Sequence, residues 1–282
     1  MIINKVKFPA VDFKKYKRVF IFGCSFTNYI WPTWANILCY DTDLNCKVYN
    51  FGTSGAGNLY ITERISAANQ KFKFSKDDLV LVMWTTFSRE DRYIGNRWET
   101  PGNIWTQGFY PNEWIVKYTC VRGYLVRDLG LMSATVNSLE FMPCDAIVLK
   151  AVDPSYDEKY YTGQHGVRDV IDLYKDMTDT MPNCLHNFAN DGHGGWINGH
   201  HYHWPVIKSS SMEKPFSDYH PNPGMYLDYI TSLGFNISEE SQARVQRQQI
   251  ELKTLRERQA IEQWFNQLLS SMPNYSHWES LI

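Results

Sequence analysis

Residues 79–84 form an unbroken apolar run, Leu-Val-Leu-Val-Met-Trp, and this run constrains the fold more than any other feature of the chain. A strand with one wet face alternates apolar and polar residues, whereas a short, wholly apolar run is typical of a strand covered on both faces. Three further strand candidates are residues 18–22, 46–51 and 145–151. Helix-like segments separate these four strands, so the chain is predicted to form an α/β three-layer fold around a mainly parallel sheet.

The helix candidates are residues 28–40, 58–72, 114–141 and 167–181. Asn58 is expected to cap the second of them, and the third is expected to break at Gly123 or Gly130. Residues 90–111 do not fit the alternation, because they are rich in Arg, Gly, Asn, Pro and Trp. They predict a long ordered loop after the third strand.

The C-terminal part of the chain predicts a long helix from Ser238 to about Ser271. Its first half is dominated by Gln, Arg and Glu, while its second half carries an apolar stripe. We therefore expect an α/β domain over 1–236 and a C-terminal helical extension over 237–282. A helix with so polar a first half is poorly supported alone, so the extension is expected to pair with another subunit or a larger assembly.

Composition limits the possible partners and compartments. The formal net charge is -2, which argues against general affinity for nucleic acid or an anionic membrane. The N-terminus lacks the apolar core of a signal peptide, and no run approaches the roughly 18 apolar residues of a membrane span. The six cysteines form no Cys-x-x-Cys pair and are expected to be free thiols. Synthesis of a soluble protein in a cytoplasm is the expectation.

Polar motifs follow three of the predicted strands, and a fourth motif precedes what should be the final helix of the domain. They are Gly23-Cys24-Ser25, then Asn50-Phe51-Gly52-Thr53-Ser54-Gly55, then Thr85-Thr86-Phe87-Ser88-Arg89, and finally Asp218-Tyr219-His220-Pro221. A serine after a strand is more often a helix cap than a nucleophile. The carboxyl ends of parallel strands meet at one edge, however, so Ser25 could meet a base there. His220 is the candidate base, and Asp218 would orient its imidazole.

The order of these motifs resembles the SGNH (GDSL-type) hydrolase superfamily, a flavodoxin-like α/β fold of esterases, lipases and carbohydrate deacetylases. The resemblance implies a three-layer fold with a five-stranded, mainly parallel sheet. The resemblance implies that Ser25 is the nucleophile and that Asp218 and His220 complete the triad. It also implies that the backbone N–H groups of Ser25 and Gly55 bind the oxyanion. The similarity is greatest to divergent members encoded by bacteriophages.

The sequence departs from that family pattern at three places. Cys24 replaces the usual Asp of the first motif, and Asp218 precedes His220 by two residues rather than three. The third motif also lacks the Asn whose amide serves the oxyanion. Candidate replacements as oxyanion donors are Thr86, Ser88, Asn58 and the Arg89 guanidinium.

Aromatic residues in the 90–111 loop admit two interpretations. Trp98 and Trp105 either pack this loop onto the domain or, with Arg89, bind a glycan substrate beside the nucleophile. The His-rich stretch 191–203 could bind zinc, although a polar rim loop is the preferred interpretation. Residues 52–57 lack the Lys-Ser/Thr of a phosphate loop, so no nucleotide cofactor is expected. No resident metal is expected either, because the sequence has no His-Glu-x-x-His motif and no matching Cys pair.

The sequence thus predicts a serine esterase that removes O-acetyl or similar ester groups from a surface polysaccharide. The alternative is a catalytically weak relative that serves as a binding or structural component, for example of a phage particle. In either case the expected partners include neither nucleic acid nor membrane, and the helical extension could mediate homo-oligomer or virion assembly.

Overall fold

The computed structural model describes residues 11–42, 45–105, 109–154, 166–190, 220–255, 257–272 and 274–278. Asp218, Tyr219 and the His-rich stretch 191–203 lie outside these residues. No helix in the described ranges is both long enough and apolar enough to cross a membrane.

The core of the molecule is a parallel sheet of five strands. In spatial order they are β6 (Asp145–Lys150), β3 (Asp78–Trp84), β1 (Arg18–Phe22), β2 (Lys47–Asn50) and β7 (Tyr275–His277). The predicted five-stranded parallel α/β fold is therefore confirmed. All of β3 is buried, as its continuous apolar run predicted.

Helices cover both faces of this sheet. Their bounds are α1 (Trp34–Cys39), α2 (Asn58–Phe72), α3 (Asn112–Tyr118), α4 (Val121–Phe141), α5 (Val167–Leu173), α6 (Lys175–Asp179), α7 (Leu185–Asn190), α8 (Pro223–Ser232), α9 (Glu239–Thr254) and α10 (Arg258–Ser270). A short antiparallel hairpin, β4 (Arg92–Ile94) with β5 (Arg97–Glu99), lies within the predicted long loop.

Successive residues of β1 point to opposite faces of the sheet, and each face has its own apolar core. Phe20 and Phe22 contribute to the core under α2 and α4. Val19 and Ile21 contribute to the core under α1, α8 and α9. The sheet edge that carries the polar motifs is therefore held by packing on two sides.

Several helix boundaries differ from those predicted. The first helix begins at Trp34 rather than near residue 28, because the segment before it forms the turn after β1. Gly57 rather than Asn58 caps α2. The predicted helix 114–141 breaks at residues 119–120, and Gly123 and Gly130 both lie inside α4.

The predicted long C-terminal helix is two helices, because Leu255 and Glu257 adopt extended backbone conformations between α9 and α10. The bend brings Ile261 of α10 against Leu252 and Trp31, where it is fully buried. Trp264 Nε1 also donates to Glu251 Oε2 across the bend at 2.9 Å. A straight helix would have carried this apolar stripe away from the domain into water, at a cost of roughly 1.5–3 kcal/mol for a side chain such as Ile261.

Segment 237–282 also contributes β7, which the sequence analysis did not predict. Val48 pairs with Tyr275 and Asn50 with His277 in the register of β2 and β7. Asn50 Nδ2 donates to the Tyr275 hydroxyl at 2.6 Å. The C-terminal segment is thus joined to the sheet by backbone pairing as well as by helix packing.

Candidate active site

The loop after β1 holds Ser25 at the carboxyl edge of the sheet. Cys24 O accepts hydrogen bonds from the N–H groups of Thr27 (2.9 Å) and Asn28 (3.1 Å), which close a tight turn around Ser25. A Cβ at Gly23 would lie 2.0 Å from Thr27 Oγ1, so only glycine fits before this turn. Ser25 is 6% exposed.

The replacement of Asp by Cys24 in the first motif has a local structural explanation. The Cys24 side chain is fully buried, and its sulfur accepts a hydrogen bond from Thr85 Oγ1 at 3.2 Å. This bond joins the loop after β1 to the loop after β3. The position therefore serves bonding between loops, with a thiol in place of a carboxylate.

The loop after β2 holds Gly55 in a backbone conformation that other residues disfavour. Its φ is +75°, and a Cβ there would lie 2.1 Å from Thr100 O. Thr100 Oγ1 also donates to Ser54 O at 2.8 Å, so the residues after β5 support this loop. Among the described residues, neither the Ser25 N–H nor the Gly55 N–H donates a hydrogen bond. Within the described part of the chain, both N–H groups therefore keep their capacity to donate a hydrogen bond.

His220 lies on the loop that carries Ser25. Its ring stacks on Tyr29 with centroids 3.7 Å apart and an angle of 18°, and it lies 5.3 Å from the ring of Phe26. Trp31 Nε1 donates to Pro221 O at 2.8 Å, which holds the segment after His220 against the same loop. The His220 ring therefore contacts Phe26 and Tyr29 next to Ser25, while no hydrogen bond joins the Ser25 side chain to any of the described residues. Asp218, the third predicted triad residue, lies outside the described residues.

Asn58 does not face the site. Its side chain is fully buried, and its Nδ2 donates to Thr85 O (3.3 Å) and to Asp128 Oδ2 (3.1 Å). Its Oδ1 accepts the Thr85 N–H at 3.0 Å. Both amide hydrogens are thus committed within the protein, and Asn58 instead joins α2 to the loop after β3.

The remaining donor candidates after β3 differ in solvent exposure and in hydrogen-bond partners. Arg89 Nε donates to Thr86 Oγ1 at 2.9 Å, and Arg89 Nη1 donates to Ala56 O at 2.8 Å, next to Gly55. Thr86 is half-buried and, having accepted this bond, keeps its own hydroxyl proton to donate. Ser88 is 1% exposed with a φ of +66°, and its hydroxyl has no partner among the described residues.

Three residues near the site were missed by the sequence analysis. Asp91 is buried and accepts the N–H groups of Gly57 (2.8 Å) and Tyr60 (2.9 Å), so it fixes the start of α2 just after Gly55. Burial raises the pKa of Asp91 to about 6, although these two N–H bonds oppose the rise. Burial likewise raises the pKa of Asp128, against the opposing effect of Arg127. No local pattern marks either carboxylate, because both act on elements far away in sequence.

His277 is the third. It ends β7, and its Nε2 lies 2.8 Å from Asn28 Nδ2 and 3.0 Å from Gly52 O. The imidazole therefore contacts both the loop after β1 and the loop after β2. No clear signal in the sequence marks it, because the residues before His277 are Asn-Tyr-Ser, a segment too short and too polar to predict a strand.

Of the two tryptophans predicted to bind substrate, Trp98 packs within the domain. It is half-buried and meets Tyr60 edge-on at 5.6 Å and Tyr93 at 5.7 Å, which fastens the hairpin onto α2. Trp105 is 41% exposed. No group of three or more metal-ligating side chains occurs in the described ranges, which exclude the His-rich stretch 191–203.

No family model and no curated protein matches the chain. The solved structures to which it is similar include the Bacillus subtilis protein YxiM, at 12% identity and a TM-score of 0.34. That alignment covers 62% of this chain and 45% of the other, so the chain spans less than half of that protein.

Two further solved structures show a similar degree of likeness. A candidate acylhydrolase from Bacteroides fragilis is 11% identical with a TM-score of 0.34, over 90% of this chain and 92% of the other. A member of the lipolytic G-D-S-L family from Veillonella parvula is 13% identical with a TM-score of 0.25, over 84% and 98%. Likeness of this degree does not carry an activity over to this chain.

Proposed function

We propose that the protein is a serine ester hydrolase of the SGNH type, with Ser25 as nucleophile and His220 as general base. The observation that carries the proposal is the position of His220, which stacks on Tyr29 beside the turn that holds Ser25. A serine hydroxyl is a weak nucleophile until a neighbouring base takes its proton. A histidine whose ring is stacked against the loop that carries the serine is suited to that task.

In the proposed reaction, Ser25 Oγ attacks the ester carbonyl carbon while His220 takes the hydroxyl proton. The carbonyl oxygen becomes an oxyanion that accepts the N–H groups of Ser25 and Gly55. The C–O bond to the alcohol then breaks, and His220 returns the proton to the leaving oxygen. Water repeats these steps on the acyl-Ser25 ester and releases the acid. Asp218 is proposed to orient His220.

Thr86 is the proposed third oxyanion donor, in place of the missing amide. Arg89 occupies a lone pair of Thr86 Oγ1, so the hydroxyl proton points elsewhere, and the guanidinium increases its acidity. One oxyanion donor contributes about 2.7–4 kcal/mol to catalysis. Thr86→Val should therefore lower kcat by about 100-fold or more, while Thr86→Ser, which keeps the hydroxyl, should retain most of it.

The proposed substrate is an O-acetyl or similar ester on a polysaccharide. The direct test is turnover of p-nitrophenyl acetate by the whole chain and by Ser25→Ala and His220→Ala. Each variant should abolish turnover almost as fully as the double variant, because the two residues act as one unit. Ser138→Ala, which changes an exposed serine on α4, is the matched control and should remain active.

Equal turnover by the chain and by Ser25→Ala would refute the proposed nucleophile. Absence of any Ser25-dependent turnover on aryl esters and on acetylated glycans would instead favour the alternative, a catalytically weak binding or structural component.

A further inference from the structure

A second candidate binding site lies beside the loop after β3. It is a groove of about 430 Å³ between α3, the N-terminal half of α4 and the residues that follow Arg89. Its main side chains are Glu90, Arg92, Trp114, Tyr118, Tyr124 and Arg127. A volume of this size is within the range of small-molecule sites.

One wall of the groove is aromatic and partly open to solvent, with the Arg92 guanidinium 5.2 Å from the Trp114 ring centroid and Lys117 Nζ 5.0 Å from the Tyr118 ring centroid. Trp114 stacks on Tyr110 with centroids 4.4 Å apart and an angle of 21°, and it lies 5.8 Å from the ring of Tyr118. Tyr118 is 61% exposed. Flat aromatic surface left in water is suited to the apolar face of a sugar ring, which buries its C–H groups against such rings.

The groove also contains a carboxylate that is held in one orientation. Glu90 Oε2 accepts the Tyr124 hydroxyl at 2.8 Å and Arg127 Nη1 at 3.2 Å. Among the residues that the structure describes, Glu90 Oε1 makes just two long contacts, both with Arg92, at 3.3 and 3.4 Å. Glu90 Oε1 and the Arg92 guanidinium therefore retain capacity to bond a ligand hydroxyl as acceptor and donor.

The charges in the groove favour an uncharged ligand. Arg127 is committed to the protein, because it donates to Asp128 Oδ1 (2.6 Å) and Arg89 O (2.6 Å) as well as to Glu90. What remains is the Glu90–Arg92 pair, whose charges cancel. A phosphate or carboxylate bound to Arg92 would also face the Glu90 carboxylate, whereas a neutral hydroxyl can bond both members of the pair.

The groove adjoins the proposed catalytic loops. Arg127 holds the Arg89 carbonyl, and the Arg89 side chain in turn bonds Thr86 and Ala56 O. We propose that this groove binds a neutral pyranose of the glycan that carries the ester, with the ring on Trp114 and Tyr118 and its hydroxyls on Glu90 and Arg92. This proposal rests on the proposed esterase function and names its substrate class.

The test measures binding of cellotetraose, xylotetraose, maltotetraose and tetra-N-acetylchitotetraose by saturation-transfer NMR and calorimetry. At least one of these neutral glycans should bind, and Trp114→Ala should weaken that binding by about tenfold. Tyr118→Ala should weaken it too. Phe141→Ala is the matched control, since Phe141 is an 89% exposed aromatic residue of α4 outside the groove, and it should leave binding unchanged.

The readouts separate this proposal from the esterase assignment. Ser25→Ala should bind the glycan as tightly as the unchanged chain, because the groove does not include Ser25. Ser25-dependent ester hydrolysis without binding of any of the four glycans would overturn the groove proposal and leave the esterase. Glycan binding that Trp114→Ala does not alter, or a change of oligomeric state in Trp114→Ala without glycan binding, would also overturn it.

Discussion

Asp91 should make the stability of the protein fall as the pH rises, which is opposite to the effect of a carboxylate whose pKa is lowered by folding. Its side chain is 2% exposed and accepts two backbone N–H groups at the start of α2. Burial nevertheless raises its pKa from the ordinary value of 3.8 to about 6. The folded protein therefore holds the Asp91 proton more tightly than the unfolded chain does.

The sign and size of the effect follow from this difference. Below about pH 4 the carboxyl is protonated in both states, and its full contribution to stability is present. As the pH rises towards 6 and above, the unfolded chain ionises freely while the folded protein must ionise a buried group. Two pH units correspond to about 3 kcal/mol, so most of this, about 2–3 kcal/mol, should be lost between pH 4 and pH 7.

Asp91→Asn isolates this contribution, because asparagine does not titrate. Urea unfolding of the whole chain and of Asp91→Asn at several pH values gives the difference in free energy of unfolding, from which all shared titrations cancel. That difference should move in favour of the variant by about 2–3 kcal/mol from pH 4 to pH 7. A difference that stays constant over this range would show that folding does not raise the pKa of Asp91 and would refute the reasoning.

Three further outcomes follow from contacts around the site and the C-terminal segment. Ile261→Ala should lower the free energy of unfolding by about 2–5 kcal/mol, because Ile261 is fully buried. Ile250→Ala, on the exposed face of α9, should change it little, and similar values for the two variants in urea unfolding would contradict the packing. A chain ended after residue 271 lacks β7 and should unfold at a lower temperature in calorimetry, and an unchanged Tm would mean that the edge strand does not stabilise the sheet. Gly55→Ala should abolish p-nitrophenyl acetate turnover. Gly95→Ala is the control and should retain turnover, because Gly95 also has a positive φ (+58°) but no atom lies within 4 Å of the added Cβ. Equal activity of the two variants would show that Gly55 is not part of the proposed oxyanion site.

The C-terminal segment has more contacts within the domain than its sequence predicted. Leu252, Ile261 and Trp31 form a shared apolar cluster, and β7 extends the sheet. These contacts favour a role in the stability of the domain. An additional role in pairing with another subunit stays a prediction, which light scattering of a chain that ends after Phe235 tests. A changed oligomeric state of that folded chain would support the role, and an unchanged state or a failure to fold would refute it.

The amino-acid sequence by itself determined the central architecture. The strand predicted at residues 18–22 is β1, and the run at 79–84 lies within β3. Both could be predicted because a strand buried on both faces is a continuous run of apolar residues. The positions of Ser25 and Gly55 at one sheet edge follow from the same pattern, since each comes directly after a parallel strand. Their assigned roles, with those of His220 and Asp218, stay predictions.

Tertiary structure decided the features that depend on residues distant in sequence. Asn58 was a plausible oxyanion donor until Asp128 and Thr85 were found to bond its amide. The break between α9 and α10 contains no Gly or Pro, so no local signal marks it, and it forms because the bend buries Ile261. β7 is only three residues long and exists as a strand because the edge of β2 offers it hydrogen-bonding partners. In each case a long-range contact outweighs a local preference of similar or smaller free energy, and a local pattern cannot report that contact.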